Sequence, residues 1–353
     1  MRADPLSMSA TSSVTVGRSP EMAATSGKTP RVEALDFTKG MLVLIMVLYH
    51  WINYFYPLDN RYLRFLTPSF IAITGFLISN VYISNYSFRP HVPRRLVQRG
   101  LKLLAVFFFL NLTRNLLMRG SLLQQVSKEN LIDFYLIGTR VGGGQTKAIA
   151  FSILIPISYL IILSAPLIAA SRIFRYAFHT ACLCCLLGVA ILRVEGIESS
   201  NLELLAIGFM GVVAGYLPIE RINTLVRHSF LLIFAYGLYL AAISVWNVLY
   251  PIQILGVFLT LMILYRLGQH NGETGSTRAR IVLLGQYSLV GYIAQIAILQ
   301  SLRIALNNIS SERAVLGLSF VLGFALTILS VEVLDRVRAK STTIDRLYKL
   351  VFA

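Results

Sequence analysis

The residues most able to do chemistry lie at the two ends of one apolar segment near the start of the chain. Lys39 directly precedes a stretch, Gly40 to Pro57, without Asp, Glu, Lys or Arg, and His50 lies inside it. In a helix with a rise of about 1.5 Å and a turn of about 100° per residue, both side chains face one side, roughly 16 Å apart along the axis. Asp36 lies one turn before Lys39 on that face. An imidazole at membrane depth can act as a base or a nucleophile, and the lysine can bind an anion.

The same residues also have purely structural interpretations. A lysine at a helix end commonly snorkels and anchors the helix at the cytoplasmic surface. A buried histidine can simply hydrogen-bond a neighbouring helix. Asp36 can either orient Lys39 or cap the helix. The spacing alone leaves these interpretations open beside the chemical one.

Composition indicates which kind of helix surrounds these residues. The chain has 353 residues, of which 56% are hydrophobic and 14% charged, and its mean hydropathy is +0.68. Soluble domains contain about 25% charged residues, so we predict an all-α, polytopic membrane protein. The net charge of +16 comes from basic residues between apolar runs, which fits anionic lipid rather than nucleic acid. Three cysteines share one apolar run at residues 182 to 185, so no disulfide framework and no metal site is predicted.

The elements that must position these residues form a predicted bundle of about ten transmembrane helices. Their approximate spans are residues 38–57, 64–85, 96–116, 148–170, 176–193, 201–218, 229–247, 250–266, 281–302 and 314–334. Residues 1–30 are rich in Ser, Thr, Ala and Pro and are predicted to be a disordered tail. The membrane domain is predicted over residues 31–335, followed by a basic cytoplasmic tail at 336–353.

The distribution of basic residues predicts the orientation of the bundle. Connections after the second, fourth, sixth and eighth spans contain twelve Lys and Arg, whereas those after the first, fifth, seventh and ninth contain five. The positive-inside rule therefore places both termini in the cytoplasm. Lys39 then lies at the cytoplasmic end of the first span, and His50 in the middle or outer half of the bilayer. The long connection of residues 117–147, which includes Gly142 to Gly144, obeys the rule poorly.

Residues 31 to 113 together resemble the integral-membrane acyltransferases of the type-3 family. The first span of that family has Leu-Asp-x-x-(Arg or Lys)-Gly, followed by an apolar stretch that ends in a histidine. Ten residues separate this histidine from the basic residue. This chain has Leu35 to Gly40 in the first part and Tyr49-His50 at the end of the second. The heparan-glucosaminide acetyltransferases are a related, more distant resemblance.

Three further segments are similar to motifs of this family. The second span ends in a motif like Ser-Gly-Phe-Leu-Ile, here Thr74, Gly75 and Phe76 followed by Leu-Ile, with Thr in the serine position. A basic segment starts the third helix, and its members here are Arg94, Arg95, Arg99 and Lys102. The late motif Leu-Gly-x-x-Ser-x-x-x-Tyr-Leu-x-His is matched by Gly285, Ser288, Tyr292 and Gln295. Gln295 departs from the pattern, because histidine is common at that position.

The resemblance implies a membrane enzyme that moves an acyl group, such as acetyl or succinyl, from cytoplasmic acyl-CoA to a hydroxyl group of a carbohydrate or other cell-envelope acceptor. His50 would be a general base or would hold the acyl group itself. Lys39, oriented by Asp36, and the basic segment of the third helix would hold the phosphates of acyl-CoA. That segment is equally explained as a positive-inside signal. Acyl-CoA would be a substrate, with no bound cofactor and no metal, and the protein would lie among lipids of a bacterial inner (plasma) membrane.

A transporter or flippase is the alternative from a different class. Lys39 and His50 would then form a proton or anion relay. Many transporters contain paired repeats with broken helices in matching positions. The chain shows no convincing second copy of the Lys39 to His50 pattern, which favours the enzyme.

Overall fold

The computed structural model of the chain describes residues 32–56, 61–83, 91–117, 135, 138, 151–246, 249–269, 275–306 and 312–352. The tail predicted at residues 1–30 and the Gly142 to Gly144 segment lie outside the described residues. Within them, the prediction of an all-α protein is confirmed, because every element is helical. The α-helices are α1 (Glu33–Phe55), α2 (Leu66–Leu77), α3 (Val92–Leu117), α4 (Leu154–Ala170), α5 (Ala177–Val194), α6 (Ser200–Ala214), α7 (Ile219–Arg227), α8 (Ser229–Val245), α9 (Tyr250–Gln269), α10 (Ser276–Gln286), α11 (Ser288–Ala305), α12 (Glu312–Lys340) and α13 (Thr342–Phe352).

Seven segments in the described part of the chain are long and apolar enough to cross a membrane. They are α1, the segment Arg61–Ile83 that contains α2, the first 22 residues of α3, and α5, α9, α11 and α12. The helices α6 and α7 are bent by 101° at a short break and give an eighth if they count as one span. The apolar helices α4 and α8 have 17 residues each. The chain is therefore an integral membrane protein, while the number of ten spans stays a prediction.

The last two predicted spans illustrate how boundaries differ in the structure. The ninth, residues 281–302, is divided at Tyr287, where α10 ends and α11 begins. The tyrosine leaves the helical conformation and donates a hydrogen bond of 2.7 Å to Asp335 of α12, which holds the break in place. The tenth was predicted to end at residue 334, but α12 continues to Lys340. Its polar end is stabilised by contacts such as the 2.9 Å ion pair between Arg280 and Glu332.

Helix α1 lies at the centre of the bundle. It packs against α2, α9, α10, α11 and α12, whereas α6 packs against α2, α4 against α3 and α6, and α5 against α6. Leu42 and Met46 of α1 join a continuous apolar core with Ile71 of α2, Leu160 of α4 and Phe178 of α5. The first apolar segment is therefore surrounded by other helices. Its polar residues can lie in the interior of the bundle, as predicted.

The contacts also show which helix ends lie together. Arg278 near the start of α10 forms a 3.1 Å ion pair with Glu33 at the start of α1. Arg280, also in α10, pairs with Glu332 near the end of α12. The beginning of α1 and the end of α12 therefore lie at one end of the bundle. The cytoplasmic location of that end stays a prediction from charge.

Candidate active site

The ion pair at the start of α1 is the first part of the site. Lys39 Nζ lies 2.6 Å from Asp36 Oδ1, and their side chains are only 15% and 5% exposed. Helix α1 begins at Glu33 after Val32, so Asp36 lies inside the helix rather than at its cap. The pair therefore fixes the direction of the lysine side chain. It also neutralises part of the charge that the helix brings toward the membrane.

His50 lies three helical turns further along α1, within a group of aromatic side chains. Its ring centroid is 6.3 Å from that of Tyr54, which it stacks on, and 6.3 Å from that of Tyr292 of α11. Tyr292 in turn contacts Phe151 edge-on, with ring centroids 6.0 Å apart. The hydroxyl group of Tyr54 accepts a 3.1 Å hydrogen bond from Gln300 Nε2. The imidazole is therefore positioned by rings from two helices, and Tyr292 belongs to the late sequence motif.

The first and the late sequence motifs pack directly against each other. A Cβ atom added at Gly285 of α10 would overlap the carbonyl oxygen of Asp36 and lie 2.9 Å from the backbone nitrogen of Gly40. A Cβ atom at Gly40 would likewise overlap the carbonyl oxygen of Ile281. Glycine at both positions lets the two helix backbones touch, as small residues do in membrane bundles. This contact sets the position of Asp36, and with it that of Lys39.

The second motif has a packing environment of its own. Gly75 of α2 lies against the backbone of α6, where an added Cβ atom would overlap the carbonyl oxygen of Gly208 and lie 2.9 Å from the backbone nitrogen of Val212. The hydroxyl group of Thr74 donates a 2.7 Å hydrogen bond to the carbonyl oxygen of Phe70 in its own helix. Phe76 is partly buried. These contacts give the motif a packing role between α2 and α6.

The basic residues of the predicted phosphate-binding segment lie on α3. Arg94, Arg95 and Arg99 are exposed, Lys102 is partly buried, and Arg99 donates a 2.7 Å hydrogen bond to the hydroxyl group of Tyr82. Helix α3 packs against α4 and the C-terminal helix α13, whereas α1, which carries Lys39, packs most extensively against α10. The structure thus brings Asp36, Lys39 and Gly285 together, and His50 and Tyr292 together, and places the α3 cluster on another helix.

A polar cluster at the C-terminal end was not predicted from the sequence. Arg338 of α12 donates hydrogen bonds to the Tyr287 hydroxyl group at 2.9 Å and to Asp345 Oδ1 of α13 at 2.6 Å, and its guanidinium lies 3.8 Å from the Tyr348 ring centroid. Lys349 and Arg338 together hold the pKa of the Asp345 carboxyl below its usual value. Because Tyr287 is the break between α10 and α11, this cluster attaches α13 to the late motif. Its sequence signal was the amphipathic pattern of residues 342–352.

The described residues contain no group of three or more His, Cys, Asp or Glu side chains arranged to hold a metal ion. The site instead consists of an ion pair at one depth of α1 and an imidazole surrounded by tyrosines at another. An all-helical membrane protein with these features belongs to the class of membrane enzymes or transporters that use ionisable groups inside a bundle.

Comparison with known families decides between these classes. A family model described as an acyltransferase domain, that of the acyltransferase 3 family, matches residues 32–332. The match covers most of the chain, so the protein belongs to the type-3 acyltransferase family, as the motifs indicated. It is a membrane acyltransferase. Comparison with curated proteins and with solved structures gave no match.

Proposed function

We propose that this protein moves an acyl group from cytoplasmic acyl-CoA to a hydroxyl group of a carbohydrate or other cell-envelope acceptor, with His50 at the reacting centre. The observation that supports this most is the placement of the two α1 groups. Lys39, paired with Asp36, lies at the end of the bundle predicted to be cytoplasmic, and His50 lies about 16 Å deeper on the same helix. A long substrate can therefore keep its phosphates near the lysine while its thioester reaches the imidazole.

The proposed reaction needs one base and one electrophile. In the direct route, the acceptor hydroxyl gives its proton to a neutral His50 nitrogen, its oxygen attacks the thioester carbonyl carbon, the carbon–sulfur bond breaks, and the CoA thiolate takes up the proton. In the two-step route, the His50 nitrogen attacks first, the carbon–sulfur bond breaks, and CoA leaves as the thiol with the imidazole proton. The acceptor hydroxyl oxygen then attacks the carbonyl carbon of the acyl-imidazole, the carbon–nitrogen bond breaks, and the hydroxyl proton returns to the imidazole. The second route passes the acyl group onward without moving CoA. Both routes need the ring to be fixed, which Tyr54 and Tyr292 support.

The basic residues of α3 are proposed as a second phosphate contact. Arg94, Arg95 and Arg99 are exposed, so they are available to a nucleotide, and α13 links their helix to the cluster on α12. Guanidinium groups bind phosphate oxygens in pairs, and Lys39 would add a point charge. Neutralising all three arginines should weaken acyl-CoA binding. The same change at Arg221, exposed on α7, serves as the control for loss of positive charge.

The test uses purified protein in lipid nanodiscs with labelled acetyl-CoA and a mixture of candidate hydroxyl acceptors. CoA release should be followed by chromatography, because Cys184 is exposed and would react with thiol reagents. His50→Gln should be folded and inserted but should transfer about 10²–10⁴ times more slowly, which is the usual contribution of a general base. His179→Gln is the matched control, since His179 is an exposed imidazole on α5.

Four results separate the possible outcomes. Label recovered on His50 after incubation without acceptor would establish the two-step route, and unlabelled protein with normal transfer would establish the direct route. Transfer by well-folded His50→Gln at the wild-type rate would refute both. A wild-type protein that leaves every acyl-CoA intact would refute the proposed donor, and a transporter would behave in that way.

A further inference from the structure

Gln295 of α11 is a polar side chain in an unusual environment. It is completely buried, with 0% exposure. Within the part of the chain that the structure describes, neither its Nε2 nor its Oε1 has a hydrogen-bond partner. A buried amide without hydrogen bonds is unfavourable relative to an apolar side chain of similar size. Packing therefore does not explain why the position holds glutamine. A bound group that supplies the missing hydrogen bonds would explain it.

The position of Gln295 on α11 places it in the layer of His50. Tyr292 precedes it by three residues and Leu299 follows by four, so all three share one helix face. The Tyr292 ring contacts that of His50, with centroids 6.3 Å apart. Leu299 lies beside Gly323 of α12, where an added Cβ atom would be 2.9 Å from the Leu299 side chain. Gln295 lies about 4.5 Å along the axis from Tyr292.

The contacts between α1 and α11 support the same depth independently. Gly291 of α11 lies opposite Val43 of α1, and Gln300 donates a hydrogen bond to Tyr54. The two helices therefore run side by side in the same direction through this region. Interpolation between these contacts places Gln295 opposite the α1 segment from Val47 to His50.

We propose that Gln295 binds the acyl group, with its Nε2 donating a hydrogen bond to the acyl carbonyl oxygen and stabilising the negative charge that develops there. This inference rests on the proposed function of His50. When the hydroxyl oxygen or the imidazole nitrogen attacks the thioester carbon, the carbonyl electron pair moves onto oxygen, and it returns as the carbon–sulfur bond breaks. A fixed amide donor favours that transition state over the ground state. A side-chain amide neither gains nor loses a proton near neutral pH, so its role is charge stabilisation, and proton transfer stays with His50.

The test compares Gln295→Leu and Gln295→Met with wild type in nanodiscs. Both variants remove the donor and keep a similar volume. The expected result is a fall in kcat of about 10²–10³, the usual effect of losing one such donor, with the KM for acetyl-CoA changed little. Thermal stability should be equal or higher, because an unpartnered polar group has been replaced by an apolar one. Gln295→His, which restores an N–H donor, should recover part of the rate.

Gln253→Leu is the matched control, because Gln253 lies on α9 and donates its hydrogen bond at the protein surface to the carbonyl oxygen of Arg64. It should keep the wild-type rate. If Gln295→Leu or Gln295→Met transfers within threefold of wild type, the proposed role of Gln295 is wrong while that of His50 stands. If both variants fail to fold, the amide is structural and the inference is equally wrong. If wild type cleaves no acyl-CoA, the proposed function and this inference fail together.

Discussion

The contact between the two motifs predicts a large effect from the smallest possible substitution, Gly285→Ala. The added Cβ atom would overlap the carbonyl oxygen of Asp36 and lie 2.6 Å from its carbonyl carbon. Non-bonded carbon atoms pack at about 3.5–4.0 Å, so α10 must move away from α1 by about 1 Å. The neighbouring atoms belong to the backbone of a helix, and no side chain can rotate to make room. The two helices must therefore separate along the segment that holds Asp36.

Both stability and activity should respond to this separation. Overpacking of a well-packed interior typically costs about 1–3 kcal/mol. A displacement of about 1 Å in a group that positions substrate can reduce the rate about 10²-fold. We therefore expect Gly285→Ala to unfold at a lower temperature in nanodiscs and to lose most of its transfer, with the loss expressed partly as a higher KM for acetyl-CoA because Lys39 moves with Asp36.

Gly237→Ala and Gly317→Ala provide the controls. Both positions lie inside helices. A Cβ atom added at either would have no neighbouring atom of the described residues within 4 Å. Replacing glycine by alanine in an open helical position is favourable by up to about 1 kcal/mol. The controls should therefore match or exceed wild-type stability. Wild-type stability and rate for Gly285→Ala would show that α1 and α10 are not in contact at the motifs, and the geometry of the site would be wrong.

Other predictions test separate parts of the structure. Lys39→Ala should raise the KM for acetyl-CoA while Lys39→Arg keeps it near wild type, because a phosphate contact needs charge more than shape; equal KM values would make Lys39 only an anchor. Asp345→Asn should speed hydrogen exchange across α13, because it removes ion pairs to Arg338 and Lys349. Since the pKa of Asp345 is lowered, wild type should lose this attachment only as the pH falls below the ordinary carboxyl value of about 4; a protection of α13, relative to the intrinsic exchange rate, that does not fall below that pH would contradict it. Reporters inserted near Glu273 and Gly143, which lie outside the described residues, should be cytoplasmic and external respectively, and a cytoplasmic result at Gly143 would refute the ten-span topology.

The parts of the fold that sequence predicted are those set by local composition. Runs of apolar residues predict membrane helices because, apart from closed β-barrels, only helices satisfy all their backbone hydrogen bonds in lipid. Spans were predicted at residues 229–247 and 250–266, and in the structure α8 ends at Val245 and α9 begins at Tyr250. The family was predicted from several motifs that occur in the same order along the chain as in the family, and the family match confirms this prediction.

Properties that depend on contacts between distant segments could not be predicted in this way. The break at Tyr287 is maintained by Asp335 and Arg338, which lie 48 and 51 residues later in the chain. Hydropathy treats the surrounding apolar run as one span, because a tyrosine does not interrupt it. The absence of a protein partner for Gln295 among the described residues is likewise a property of the packed bundle.

The break at Tyr287 also explains why one motif contains both a packing glycine and a site residue. Gly285 precedes the break and must lie against the backbone of α1, whereas Tyr292 and Gln295 follow it and face the layer of His50. A straight helix would fix the relative rotation of these two groups at about 100° per residue. A break held by α12 allows α10 to be set by its contact with Asp36 and α11 to be set by its contacts around His50. The C-terminal helix is therefore connected to this break through the contacts of Asp345 with Arg338 and of Arg338 with Tyr287, although none of its residues belongs to the proposed reacting centre.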